Sequence, residues 1–234
     1  MKIAGLQKTT LIDYPGKIAA VIFTKGCNFR CSFCHNADLV NPSSKVKIIS
    51  EKEVFDFLKK RREMLEGVVI TGGEPTLRPD LINFIKKIKK LDFLVKLDTN
   101  GTNPMILKSL INTSTYPLIN YIAMDIKGPL DKYQLITNSK INLENIKKSV
   151  EIIKNSGIDY EFRTTVVPTF LDKDDFIKIG KWLKGAKQYY LQQFRNKQTL
   201  DKKLLKVSPY TDKKLRQFTK IMKRYIKNAE IRGL

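Results

Sequence analysis

Residues Ile18 to Asn36 read IAAVIFTKGCNFRCSFCHN: a wholly apolar run, then a polar loop that carries every cysteine of the chain. Ile18–Phe23 has the length and composition of a buried strand. Outward from it the same unit recurs, an apolar run ending in glycine or polar residues. Val68–Thr71 leads into Gly72-Gly73-Glu74-Pro75, and Phe93–Asp98 into Thr99-Asn100-Gly101. Tyr121–Ile126 ends in Asp125-Ile126-Lys127-Gly128. Tyr160–Val167 carries Arg163, and Tyr189–Phe194 carries Gln192 and Gln193 with Arg195 just beyond.

Helical periodicity fills the gaps between these runs. Ser50 with Glu53 has the form of a capping box, opening a helix with Val54, Phe57, Leu58 and Leu65 on one side and Gly67 as its stop. Pro79 opens a helix burying Leu81, Ile85 and Ile88, and Asn103-Pro104 has the form of an N-cap and first helical residue. Leu143, Ile146, Val150 and Ile153 form a stripe closed by Gly157. A helix over about 172–183 and a basic C-terminal helix over about 212–228 complete the chain. Alternating strands and helices imply parallel strands joined by right-handed crossovers. Six such units fall short of a closed eight-stranded barrel, so an open doubly wound sheet and a partial barrel both fit. In either, chemistry belongs at the C-terminal strand ends, where the glycines and polar residues gather.

The composition sets bounds. The 234 residues are 42% hydrophobic and 29% charged, which excludes disordered, collagen-like and disulfide-stapled classes and suits one domain over 1–234. The longest apolar run is far too short to cross a bilayer, and MKIAGLQKTT lacks the apolar core of a signal peptide, so a soluble cytoplasmic protein is expected. Formal charge is +21, unevenly spread: residues 173–234 hold 18 Lys/Arg against 5 Asp/Glu, a net +13. Such a region suits nucleic acid or an acidic partner, or is simply a solvated lysine-rich face.

Cys27, Cys31 and Cys34 follow C-x3-C-x2-C. An odd, tight set is a poor disulfide framework and a good set of soft ligands for iron–sulfur or zinc. Structural zinc wants four ligands, and there is no fourth cysteine; His35, the one histidine, adjoins Cys34 and is expected to point away. A cubane held by three cysteines leaves one iron open to a substrate or cofactor. Cys31-Ser32-Phe33-Cys34-His35 also matches the c-type haem signature, but Cys27 then has no role and no export signal is present. Buried structural cysteines are the plainest alternative.

The cysteine motif, with GGEP after the next strand, resembles the radical S-adenosylmethionine (SAM) superfamily. Ile12-Asp13-Tyr14-Pro15-Gly16, Cys34-His35-Asn36, Asp98-Thr99-Asn100-Gly101 and Asp125-Ile126-Lys127 are similar to the glycyl-radical-enzyme activases, most of all to activators of anaerobic ribonucleoside-triphosphate reductase. The resemblance implies a partial (βα)6-type TIM-like barrel with the cluster loop after the first strand. It implies a 4Fe-4S cluster on Cys27, Cys31 and Cys34. It also implies SAM chelating the open iron, reductive cleavage to a 5′-deoxyadenosyl radical, and abstraction of hydrogen from a partner's glycine.

On that footing Gly72 and Gly73 let backbone approach the SAM amino group, and Glu74 accepts its hydrogen bonds or fixes the turn. Lys127 and Arg163 are the catalytic-site cations for its carboxylate, with Asp125 helping to hold the amino group. Asp98 and Thr99 lie near the ribose or form a small cation site. Phe33, with the His35 and Asn36 backbone, faces the adenine, and Gln192 is a further cofactor contact. Asp13 is a candidate substrate residue near the target glycine, or a turn residue before Pro15. The chain passes from Cys34 through Pro42 to Ser50 with no room for an inserted ferredoxin-like domain. The implied partners are a glycyl-radical enzyme and a flavodoxin- or ferredoxin-type reductant, with nucleic acid not favoured and no membrane. Two alternatives stand beside this: a radical SAM enzyme acting on a nucleotide-like molecule or tRNA, as 7-carboxy-7-deazaguanine synthase does, and a non-enzymatic metal-containing nucleic-acid-binding module.

Overall fold

The computed structural model describes residues 1–40, 45–112 and 117–234; Pro42 lies outside them. Eight strands form one sheet in sequential order: β1 (Ile3–Thr10), β2 (Ala19–Thr24), β3 (Gly67–Gly72), β4 (Leu94–Thr99), β5 (Tyr121–Asp125), β6 (Asp159–Val166), β7 (Tyr189–Gln193) and β8 (Ala229–Arg232). β2 to β8 run parallel, and β1 is antiparallel to β2. The sheet does not close, leaving β1 and β8 as its edges: a partial TIM-like barrel. The helices are α1 (Ala37–Val40), α2 (Glu51–Lys60), α3 (Leu81–Lys89), α4 (Pro104–Ile111), α5 (Tyr133–Thr137), α6 (Leu143–Lys154), α7 (Lys173–Trp182) and α8 (Asp212–Met222).

Strand alternation divides the side chains into two populations. Ala20, Ile22, Val68, Ile70, Val95, Leu97, Ile122, Met124, Phe162 and Leu191 face the helices and join one large apolar core. The other face turns into the barrel. At its lower end Tyr14, Ala19, Val21 and Val69 form a small separate cluster. Higher up that face carries Lys96, Asp98, Asp125, Glu161 and Arg163. Each fully buried aliphatic side chain of the outer core contributes roughly 1.5–3 kcal/mol, so the helix-facing layer carries the stability and frees the lumen for polar residues.

Six of the strands coincide with the apolar runs. β1 and β8 do not. β1 reads IAGLQKTT, with only its two ends buried, and β8 is four residues, AEIR; neither shows an apolar run because both are edges. Helix boundaries also differ, and α3 starts at Leu81 after Asp80, so Pro79 precedes the helix and does not open it. α2 stops at Lys60, and Gly67 opens β3 instead of closing the helix. Its missing side chain makes room for the Tyr14 ring, which an added Cβ would meet at 2.9 Å. Ser50 accepts from Glu53 N at 3.1 Å, but the reciprocal capping box forms at Asp172 and Asp175 at the start of α7. The C-terminal helix ends at Met222; Tyr225 and Ile226 follow in a turn, and β8 takes up the chain.

Candidate active site

The cysteine loop is built by the glycines around it. The chain leaves β2 at Thr24 and turns at Gly26, whose φ is +95°. Gly73 N donates to Thr24 O at 2.9 Å, and Glu74 N to Gly26 O at 2.8 Å, so the GGEP turn is laced to the start of the cysteine loop. A Cβ on Gly73 would sit 2.0 Å from Gly26 O, and one on Gly72 2.4 Å from Thr24 N. On the side where a Cβ would stand, both glycines thus admit backbone of the loop that carries Cys27, while both also line the cavity. Arg30 Nη1 ties the loop internally, donating to Cys27 O at 2.6 Å and Phe29 O at 2.8 Å.

The three free thiols face a common cavity of about 230 Å³, Cys31 buried and the other two half-buried. Burial pushes the Cys27 thiol up to about 11 and Cys31 up to about 12, with Lys127 opposing both, and raises Cys34 as well. Left to itself the cavity therefore holds neutral thiols, and a metal centre is what makes three thiolates stable there. Among the described residues no three His, Cys, Asp or Glu side chains converge as a single ion requires. Three soft donors around one shared cavity, a volume wider than an ion, fit an iron–sulfur cluster better than zinc.

Fifteen of the sixteen residues singled out above line that one cavity. Cys27, Cys31, Phe33, Cys34, His35 and Asn36 come from the cysteine loop. Gly72, Gly73 and Glu74 come from the end of β3, Asp98 and Thr99 from β4, Asp125 and Lys127 from β5, Arg163 from β6 and Gln192 from β7. Asp13 is the exception. Ile3 of β1 pairs with Thr24, and Thr10 pairs with Ala19, so the turn after β1 lies at the opposite end of the barrel. There the Asp13 carboxylate accepts from Thr10 Oγ1 at 2.5 Å.

Glu74 is wholly buried and fixes the turn. Its Oε1 accepts from Thr76 N (3.0 Å), Thr76 Oγ1 (2.6 Å) and Thr99 Oγ1 (2.8 Å), and its Oε2 from Asn100 N (2.6 Å). Burial pushes its carboxyl up against these bonds. Glu74 and Thr99 thus join the ends of β3 and β4 while lining the cavity. Asn100 continues the join, donating to Asn28 Oδ1 at 2.8 Å and lying 3.8 Å from Cys27 Sγ. The His35 ring turns outward to the Arg195 carbonyl, 2.9 Å from Nε2.

The remaining polar residues form one ion-pair network. Arg163 donates from Nε to Asp125 at 2.5 Å and from Nη2 to Asp98 at 2.9 Å, with Glu161 3.7 Å from Nη1. Lys127 donates to the other Asp125 oxygen at 2.9 Å, and Lys96 to Asp98 at 2.6 Å. Burial alone would raise the Asp125 carboxyl, but Arg163 and Lys127 hold it far below the ordinary carboxylate range. Burial works against the Lys127 charge too, and Asp125 keeps its pKa well above the usual lysine value. Both aspartates are already bridged by two cations each, so the small cation site entertained for Asp98 does not fit this geometry. Phe29, Val40, Thr71, Asn100 and Thr165 also line the cavity and were not anticipated. Asn100 was the legible one, since it stands in the polar end of β4.

Comparison with known proteins bears on the family. Residues 21–183 match the family model described as "Radical SAM superfamily". A protein of Methanocaldococcus jannaschii, provisionally named a glycyl-radical enzyme activating enzyme, is 36% identical over 99% of this chain and 96% of its own length. A pyruvate formate-lyase-activating enzyme of Clostridium pasteurianum is 29% identical over 80% of this chain and 77% of its own. Among solved structures, Streptococcus suis SuiB bound to S-adenosylmethionine superposes with a TM-score of 0.67 at 16% identity over 91% of this chain. This chain spans about half the length of that structure (50%). Among the described residues no helix is long and apolar enough to cross a membrane. The chain belongs to the radical SAM superfamily, whose 4Fe-4S cluster and S-adenosylmethionine are its cofactors.

Proposed function

We propose that this protein is the activase of a glycyl-radical enzyme, with anaerobic ribonucleoside-triphosphate reductase as its partner and the cytoplasm as its compartment. One observation carries the reading. The M. jannaschii relative, provisionally named a glycyl-radical enzyme activating enzyme, matches 99% of this chain and 96% of its own length.

Cys27, Cys31 and Cys34 are the residues that would hold the cluster, leaving one iron for the methionine end of SAM. Bound together, the two cofactors supply one-electron cleavage of the sulfonium and hydrogen-atom abstraction from glycine. The chain's own residues bind and orient. Lys127 uses one of its three donors on Asp125 and has two left, which makes it the cation for the SAM carboxylate. Arg163 is taken up by three carboxylates, so its role is to hold Asp125 and Asp98 in place. Phe33 and Val40 supply apolar wall for the adenine, and Gln192 a polar contact beyond it. A glycine loop would enter through the open side of the barrel, since the cluster of Tyr14, Ala19, Val21 and Val69 fills the lower end. Asp13, beside Leu11 and Ile12 (71% and 82% exposed), stands at the opposite end of the barrel and does not line the cavity.

The test is anaerobic reconstitution with iron and sulfide, then reductant, SAM and a purified anaerobic ribonucleotide reductase. A glycine-centred doublet in the electron paramagnetic resonance spectrum is expected. Cofactor cleavage without that doublet, but with a deazaguanine product or modified tRNA, would replace the activase reading with the nucleotide-directed one. The non-enzymatic nucleic-acid module leaves the cavity and its ion pairs without a purpose.

A further inference from the structure

The outer side of the cysteine loop is covered by one segment, residues 195–206, and that segment is strongly basic. It holds Arg195, Lys197, Lys202, Lys203 and Lys206 against the single acid Asp201, a net +4 in twelve residues. It is fastened to the loop at its start and its middle. Arg195 O meets His35 Nε2 at 2.9 Å, the His35 ring lies parallel to Phe194 at 6.3 Å, and Asp201 N donates to Ser32 O at 2.8 Å. The segment is also braced internally: Asn196 donates to the carbonyls of Leu205 and Val207, and Asp201 caps the turn Lys202–Lys206 through Lys203 N. Leu204 points into the core, while Leu205 is 38% exposed in the middle of the lysines. Lys197, Lys202, Lys203 and Lys206 are all exposed, and none has an acidic partner among the described residues.

A braced basic platform with an apolar centre, bonded to Ser32 and His35 on either side of the third cysteine, is a poor accident. The cavity behind it needs one electron from outside for each turnover. We infer that residues 195–206 dock an acidic one-electron carrier protein, whose redox centre delivers its electron through the Ser32–His35 stretch. This rests on cluster occupancy of the cavity, not on which glycyl protein is activated. In the step, the carrier's reduced flavin or iron–sulfur centre loses one electron and the cluster gains it, with no bond made or broken. Charge complementarity of this kind sets encounter rate and salt dependence more than contact area does.

The experiment uses reconstituted protein and a reduced, purified flavodoxin as the probe. K197E/K202E/K203E/K206E should slow cluster reduction by flavodoxin tenfold or more, followed by loss of cluster absorbance. Titration calorimetry with oxidised flavodoxin should show binding lost, and wild-type binding should weaken steeply with salt. Reduction of the same variant by dithionite, and the 5′-deoxyadenosine formed with it, should stay within twofold of wild type, which also shows that the variant is folded. The neutral set of four Lys→Gln changes should fall between. As a control, K213E/R216E/K220E/K223E on the exposed face of α8 alters charge equally and should leave flavodoxin reduction nearly unchanged. Equal loss in the α8 variant, or no loss in the platform variant, overturns the proposal. Binding of tRNA by the platform in preference to flavodoxin would do so too. Failure of activation with dithionite present would instead count against the activase reading.

Discussion

Gly73→Ala tests how the site is assembled. The added Cβ would stand 2.0 Å from Gly26 O, 2.5 Å from Gly26 C and 3.1 Å from Gly26 N. All three atoms are backbone, so no side chain can swing aside; the two loops must part. Overpacking costs about 1–3 kcal/mol, and parting also strains the 2.8 Å bond from Glu74 N to Gly26 O, worth about 1 kcal/mol. A total near 3 kcal/mol corresponds to a fall in Tm of about 6–12 °C for a chain of this size. The displaced atom is the residue before Cys27, so the ligand loop moves first. We expect the cofactor-free variant to melt 6–12 °C lower, and iron and sulfide after reconstitution to drop by more than half. Gly157→Ala is the control: its φ is +74° but nothing lies within 4 Å of the added carbon, so it should lose about 1 kcal/mol and no iron. Gly73→Ala with full iron content and unchanged Tm would refute the claim that this glycine exists for loop-to-loop contact.

Four further outcomes follow from the same geometry. Cys31→Ala should fold but fail to hold an intact cluster; normal SAM cleavage by it would remove Cys31 from the ligand set. Lys127→Ala should weaken SAM binding tenfold or more in equilibrium dialysis while iron content stays at wild type. Arg232→Ala removes a bidentate partner of the fully buried Glu161 (2.7 and 3.0 Å). Because Arg232 is 33% exposed, the loss should be about 2–3 kcal/mol in urea unfolding, below that of a fully buried pair. Asp98 and Asp125 both have depressed folded pKa values, so their stabilisation is complete above the unfolded value near 4 and is lost as pH falls below it. Asp125→Asn should therefore cost the cofactor-free protein stability at pH 7, and the gap to wild type should narrow steadily below pH 4.

Six of the seven parallel strands were legible because their helix-facing residues are apolar and buried, so each shows as a largely apolar run. β8 was not: it is four residues at the sheet edge, with Glu230 exposed and Arg232 turned to Glu161, so its alternation looks like that of an exposed loop. Most of the cavity was legible for a related reason. Its side chains sit at strand ends, which local sequence marks with Gly, Asp, Asn and Lys. What local sequence did not carry was the use of each group. Glu74 and Thr99 stand in the right place for a ligand, yet their polar atoms face each other across twenty-five residues of chain. Lys96 shows the same limit from the other side. It lies within an apolar run with nothing local to mark it, and is 1% exposed beside Asp98.

The placement of these charges is explained by the open side of the barrel. A closed barrel can fill its interior with aliphatic layers, because every strand has two neighbours to fix it. Here β8 is held by backbone bonds to β7 alone. Arg232 reaches past β7 to grip Glu161 on β6, and its guanidinium lies 3.7 Å over the Tyr190 ring. Glu161 also takes the Tyr121 hydroxyl from β5 at 2.9 Å. Arg163, one alternation higher on β6, joins β5 and β4 through Asp125 and Asp98. The network thus crosses the lumen from β4 to β8 and spans the strands that carry Lys127 and Gln192. Buried ion pairs add little net stability against apolar packing of the same volume. They do fix orientation, since each carboxylate has two partners in different directions. An open barrel that must aim a few polar groups at a cofactor gains more from that constraint than from a drier core. Replacing Glu161, Arg163 and Arg232 together by apolar residues should therefore leave the protein folded while loosening its grip on S-adenosylmethionine.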